Sequence, residues 1–404
     1  MSYRYSSSFE KPGLNTLVSP SPSGSYTQYG GIWKLSAASA AQGAGTWAKV
    51  TQPHLYGWGG NASGALGLGN TTSYSSPRQV GSLTNWSIIA SGSAYSLAVK
   101  TDGTLWAWGY NNIGQLGLGN TTRYSSPMQV GSLTNWLTVS CGAYHTAAIK
   151  TDGTLWTWGK NFYGQLGLGN TTAYSSPVQV GLLTNWLSVS CGYVYTASIK
   201  TDGTLWTWGR NTYGQLGTNN GTNYSSPKQI GALTNWSTIA CGANHTISVK
   251  TNGTLWAWGY NLYGQLGLGN RTYYSSPVQV GSLNTWSSIS CGQNYTESIK
   301  TDGTLWSWGY NPYGALGLNN RTNYSSTKQV GSLTNWLIVS CAQYSTLSIK
   351  TDGTLWGWGY NGAGGLGTGN TTYYSSPKQV GSLTTWSKLF KGYATTSTFG
   401  IAKT

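Results

Sequence analysis

From Leu55 onward the chain runs as short apolar stretches broken by polar turns, and the pattern returns every 50 residues. One unit, Thr101 to Lys150, reads TDGTLWAWGYNNIGQLGLGNTTRYSSPMQVGSLTNWLTVSCGAYHTAAIK, and seven rows align without insertion or deletion when written from Thr51. A fixed period of this length predicts a repeat architecture before any local propensity is weighed. Within a row, TDGT separates apolar runs such as HTAAIK and LWTWG. Asp-Gly accepts the positive φ of a tight primed turn, so this pair predicts a hairpin. WLTVSCG predicts a further strand. MQVGSL predicts another after the loop GQLGLGNTTRYSSP, whose Pro marks a strand start. Four antiparallel strands make one propeller blade. The rows therefore predict an all-β, seven-bladed β-propeller of four-stranded antiparallel blades with a short N-terminal arm.

The tryptophans follow the same grid. Twenty of the 22 occupy three columns, at positions 58 to 358, 86 to 386 and 106 to 356, with Tyr56 in the empty first place of the third; Trp33 and Trp47 stand outside. The boundaries expected are an arm over 1–46 and a propeller over 47–404. The first row lacks its first pair of strands, while 386–400 (WSKLFKGYATTSTFG) carry a pair with no LWxWG run behind them. Pairing 386–400 with 55–83 would complete the seventh blade and remove exposed edges.

Composition agrees with many short strands. Only 7% of the 404 residues are charged, 58 are Gly, and 14% are aromatic, which argues against disorder. No apolar run reaches membrane-spanning length, so no membrane insertion is expected. The start, MSYRYSSSFEKPG, carries no apolar core of a secretory signal. Cys141, Cys191, Cys241, Cys291 and Cys341 share one column. Equivalent positions of neighbouring blades are too far apart for the roughly 4.4–6.8 Å Cα separation of a disulfide, so the thiols read as small buried residues of a protein folded in a reducing compartment. With no CxxC pair and no histidine cluster, no metal site and no cofactor are expected.

Catalytic chemistry finds little support. Of seven acidic residues, Asp102, Asp152, Asp202, Asp302 and Asp352 are TDGT turn residues, leaving Glu10 and Glu297. His54, His145 and His245 are too scattered for a triad, so no catalytic residue and no enzyme activity are expected. The net charge of +15 includes Lys100, Lys150, Lys200, Lys250, Lys300 and Lys350, each just before a TDGT or TNGT turn. The remaining cations vary between rows and favour an anionic partner. Nucleic acid is not the expected one, because no basic run or reading motif is present.

The string WxxVSCGxxHTxxIKTDGTLWxWGxNxxGQLG resembles the repeats of the regulator of chromosome condensation family over residues 51–404. The resemblance implies the propeller but not a function, since that family includes a nucleotide exchange factor, a plant photoreceptor and a β-lactamase inhibitor. The exchange factor's projecting wedge has no counterpart insertion here. The photoreceptor's tryptophans would fall where Ala143, Tyr193, Ala243, Gln293 and Gln343 stand. The leader SGSYTQYGGIWKLSAASAAQGAGTW and the low-charge NTTxYSSPxQVGSLTNW rows are similar to bacteriophage structural proteins.

Columns that vary between rows are free to bind. Just beyond the cysteines stand Tyr144, His145, Tyr193, Tyr195, Asn244, His245, Asn294, Tyr295 and Tyr344, expected as a ring of ligand-binding side chains at one mouth of the propeller. Phe9, Tyr26, Tyr29 and Trp33 are the expected docking residues of the arm. These features lead to the expectation of a virion-surface structural or adhesion protein, assembled in the host cytoplasm, docked to other virion proteins by its arm and meeting a host glycan or receptor with its ring. The alternative is a cellular protein-interaction propeller acting as a regulator or inhibitor.

Overall fold

The computed structural model describes residues 18–20, 26–28, 52–390, 392 and 396–403. The chain divides into two compact units, 1–51 and 52–404. In the first, Val18–Pro20 pairs antiparallel with Tyr26–Gln28. The second consists of seven four-stranded antiparallel sheets, the blades of a propeller.

A typical blade orders Trp86–Ser91, Tyr95–Lys100, Leu105–Gly109 and Tyr124–Gln129 from first to fourth strand. The TDGT hairpin joins the second to the third. In it, the Asp102 carboxylate accepts from the Thr104 amide (2.9 Å) and hydroxyl (2.6 Å), and these bonds hold its pKa below the usual value. The Trp106 indole donates to the same Thr104 hydroxyl at 2.9 Å, so turn and tryptophan are built as one unit. The long loop from third to fourth strand is tied by one buried side chain. Asn111 donates to the carbonyls of Asn120 (3.1 Å) and Thr122 (2.9 Å) and accepts from the Leu116 amide (3.0 Å).

One sheet differs in its connectivity: Trp386–Phe390, Ser397–Lys403, Pro53–Gly59 and Tyr74–Gln79 lie side by side. Its middle pairing runs from Pro53 opposite Lys403 to Gly59 opposite Ser397, joining strands from the two ends of the propeller.

The core lies between blades. Trp58, Trp108, Trp158, Trp208, Trp258, Trp308 and Trp358 are completely buried. Each indole reaches the loop of the preceding blade: Trp108 donates to the Ala65 carbonyl at 2.7 Å, Trp158 to Gln115 at 3.0 Å, and Trp58 to Gly365 at 3.2 Å. A second tryptophan meets each one edge to face, as Trp136 does Trp158 at 6.0 Å between ring centres. The lysine before each turn belongs to this packing: Lys150 Nζ lies 3.7 Å from the ring centre of Trp156 and 4.9 Å from that of Trp136. Burial lowers its pKa, while Asp152 acts in the opposite sense. Six cations are absorbed by tryptophan pairs in this way rather than presented to a partner.

Candidate functional site

The loop between first and second strands and the loop between third and fourth strands emerge on one face of the propeller. The TDGT turns emerge on the other. This follows from the antiparallel order, and it decides where each variable residue sits.

The expected ring of binding side chains is only partly at the surface. His145, Tyr195, His245 and Tyr295 are completely buried, which corrects their placement at an open mouth. The second strand to which they belong is covered on both sides, so even its alternating positions have no solvent face. These residues latch blade to blade. Tyr95 donates to the His145 carbonyl at 2.6 Å, Tyr195 to that of His245 at 2.5 Å, and Tyr295 to that of Ser345 at 2.7 Å. His145 Nε2 lies 3.0 Å from Thr196 Oγ1, and His245 Nε2 lies 3.1 Å from Thr296 Oγ1. Burial lowers both histidine pKa values to about 3, so the rings are neutral.

Tyr144, Asn244, Asn294 and Tyr344 are half-buried, and Tyr193 is 39% exposed. Around them gathers a set of tyrosines from the third-to-fourth loops. Tyr213 contacts Tyr260 (4.9 Å between ring centres) and Tyr273 (5.9 Å); Tyr260 contacts Tyr263 (6.2 Å); Tyr263 contacts Tyr310 (4.4 Å). The network continues from Tyr310 to Tyr344 (6.1 Å), Tyr344 to Tyr313 (5.1 Å), and Tyr313 to Tyr360 (5.4 Å) and Tyr373 (6.0 Å). Tyr110 meets Tyr144 at 6.2 Å farther round the ring. Sequence reasoning missed this arc, although the signal was present. Columns 110 to 360 and 273 to 373 vary between rows as the chosen column does, and positions 163, 213, 263 and 313 are Tyr in four consecutive rows, but they lie in a different loop.

Cations interleave with these rings. Arg123 lies over Tyr110 at 4.5 Å and its Nε donates to Asn112 at 3.2 Å. Lys160 lies over Phe162 (5.0 Å) and Tyr144 (5.5 Å), and Arg210 over Tyr163 (5.4 Å) and Tyr213 (5.8 Å). Burial first, and neighbouring tyrosines after it, raise the pKa of Tyr310 and Tyr344, which therefore remain neutral hydroxyl donors.

Elsewhere the chemistry is subdued. The seven first strands line an axial channel of about 260 Å³ that includes Ser140, Ser190, Cys191 and Cys241. Cys191 donates to the Ser140 carbonyl and Cys241 to that of Ser190, at 3.5 and 3.4 Å. Burial pushes both thiols up to about 12, the wrong direction for a nucleophile. Among the described residues no group of three or more His, Cys, Asp or Glu could hold a metal ion. Phe9, Tyr29 and Trp33, expected to dock the arm, lie outside the described residues. Tyr26 begins the strand Tyr26–Gln28.

Fold and face together define a repeat propeller with one aromatic, cation-bearing side. Residues 33–247 match the family described as the RCC1-like domain, and residues 252–297, 302–349 and 352–396 match the regulator of chromosome condensation (RCC1) repeat. The chain belongs to the RCC1-like family. Among solved structures it is similar to human WBSCR16, with 21% identity and a TM-score of 0.78 over 87% of this chain and 99% of that one. It is also similar to yeast RCC1 (Prp20) bound to Kap60, with 18% identity and a TM-score of 0.78 over 88% and 89% of the two chains. A further structure of Prp20p from Saccharomyces cerevisiae, described with its binding properties to Gsp1p and histones, has 18% identity and a TM-score of 0.77 over 88% and 92%. A search of the curated proteins finds no match. The relatives are cellular proteins, and they overturn the expected virion-surface function and location; the expected virion partners have no support among them. The bacteriophage resemblance has no counterpart among these matches.

Proposed function

We propose that this chain is a non-catalytic, cellular protein-interaction propeller that acts as a regulator or inhibitor through the face bearing Tyr144, Tyr193, Asn244, Asn294 and Tyr344. The observation that carries the reading is the continuous tyrosine network beside those residues. Tyrosine supplies large contact area with few rotatable bonds and a hydroxyl for adaptable hydrogen bonding, the chemistry enriched at protein interfaces. Relatives support the same class: one is described bound to Kap60, another with binding to Gsp1p and histones. A non-catalytic role is favoured by the available groups. The Asp carboxylates are each locked to their own Thr, the two buried histidines are neutral, and the thiols are raised.

The test is photo-crosslinking in the cell that makes the protein, with p-benzoylphenylalanine at position 144, 310 or 344 and, as control on the opposite face, at 152. Discrete protein adducts from the first three positions and none from 152 are expected. Absence of adducts at 144, 310 and 344, or an identical set from 152, would remove this face as the binding surface.

A further inference from the structure

The two faces carry opposite kinds of charge. Every exposed carboxylate among the described residues, Asp102, Asp152, Asp202, Asp302 and Asp352, lies in a TDGT turn on one side. Glu297 is completely buried. On the tyrosine face the side chains of Arg123, Lys160 and Arg210 lie over aromatic rings, and exposed Arg271 and Arg321 stand in the loops that carry Tyr273 and Asn323. Arg321 also acts electrostatically on Tyr373. Among the described residues no carboxylate on that face neutralises these five cations, and none of the five is paired with tryptophans as Lys100 and its equivalents are.

We propose that the arc from Arg123 to Arg321 binds an acidic, extended segment of a protein partner, an inference that rests on the protein-binding reading above. Arginine held against tyrosine is already oriented, so less side-chain freedom is lost when a carboxylate arrives. Neutral tyrosine hydroxyls between the cations donate to the same carboxylates or to the segment's backbone carbonyls. The cations recur at blade spacing along an arc, which suits a chain lying along the loops rather than one compact anion in a pocket. The lobe around Tyr313, Tyr360 and Tyr373 accepts the apolar or aromatic residues that punctuate such a segment.

The test uses the full chain and fluorescence anisotropy with a labelled peptide of alternating Asp, Glu and Gly, a Lys-Gly peptide and an oligothymidylate of matched charge. The triple change Arg123→Gln, Arg210→Gln, Arg321→Gln is compared with Lys228→Gln, Lys328→Gln, Lys378→Gln, which removes equal charge from the fourth strands outside the arc. The acidic peptide is expected to bind, to weaken with added salt, and to lose about tenfold or more in affinity with the arginine variant only. Equal losses in both variants, no peptide binding, or tighter arginine-dependent binding of the oligothymidylate would overturn the proposal. Protein adducts at 144, 310 and 344 without acidic-peptide binding would refute the acidic occupant while leaving the protein-binding reading standing.

Discussion

Ala342 and Ser345 depart together from the other rows, and the reason is steric. In five of the other six rows the pair is Gly92 with Tyr95, Gly142 with His145, Gly192 with Tyr195, Gly242 with His245 and Gly292 with Tyr295, while the row closed by the C-terminal strands reads Gly392 with Thr395. A Cβ added at Gly192 would fall within 1.9 Å of the Tyr195 ring. Only where the ring is replaced by Ser345 does the chain carry Ala342. Gly192→Ala is therefore expected to destabilise by about 2 kcal/mol or more through overpacking. Gly192→Ala combined with Tyr195→Ser should be less destabilised than the sum of the single changes. Urea midpoints of the four proteins check this, and strict additivity would refute the coupling. A second residue-scale prediction concerns protons. His145 and His245 have depressed folded pKa values of about 3, so their stabilisation is complete above about pH 6.5 and is lost as pH falls toward 3. Glu297, buried and accepting from Thr346 at 2.9 Å, has a raised folded pKa. Its contribution is complete below its ordinary 4.5 and is lost as pH rises through the folded value. Glu297→Leu, which installs the residue found at 97 and 347, should raise the melting temperature at pH 7 and gain little at pH 4. An equal gain at both pH values would exclude proton linkage as the cause.

At the scale of elements, the outermost strands show how seven open edges are kept from pairing with other molecules. Pro77, Pro127, Pro177, Pro227, Pro277 and Pro377 sit in the irregular part of that strand, where pairing shifts between residues such as Met128 and Tyr124. A missing N–H there blunts an edge that would otherwise template a further strand. Thr327 in the remaining row shows that the fold does not require Pro. Replacing the six prolines with Thr should leave the circular dichroism spectrum unchanged and increase light scattering at high concentration; unchanged scattering would assign them to loop geometry alone. The element pattern was the most legible part of the sequence, because a strict period and the Asp-Gly turns dictate strand number and order. The binding column was less legible. Alternation along HTAAIK suggests one outward side, yet a blade is stacked on both faces, so His145 and His245 are latches while their neighbours Tyr144 and Asn244 are half-buried at the surface. The tyrosine arc was hidden for a different reason. Its contacting members lie as much as 60 residues apart in sequence, and only the packing of each third-to-fourth loop against the loops of the next blade brings Tyr213 to Tyr273, Tyr263 to Tyr310 or Tyr313 to Tyr344.

At the scale of the whole molecule, the propeller is a ring whose covalent break falls inside a sheet. In an ordinary blade Ile149 stands opposite Leu155, with a four-residue turn between strands. In the closing sheet Ile401 stands opposite Leu55 in the same way, but no peptide links them. Hydrogen bonds from Pro53–Gly59 to Ser397–Lys403, with Phe399 edge to face on Trp108 at 5.9 Å and Trp58 on Trp386 at 5.7 Å, hold the break shut. A break inside a sheet is bridged by a full strand pairing; a break between sheets is bridged only by side-chain packing. Two circular permutants separate these cases, both joining Ala402 to Leu55 through Thr-Asp-Gly-Thr. One is opened in the turn at 251–254, which reproduces the native arrangement in another blade. The other is opened at 281–285, between blades. The first should melt within a few degrees of the parent, because the joined blade gains the turn that the opened blade loses. The second should melt lower, by roughly 5 °C or more if separation of neighbouring blades costs only a few kcal/mol less than separation of paired strands. Slow hydrogen exchange in 255–259 of the first permutant would show that the pairing across the new gap persists. Identical melting of the two would mean that strand pairing across the break contributes nothing to closure beyond the packing every blade interface already has.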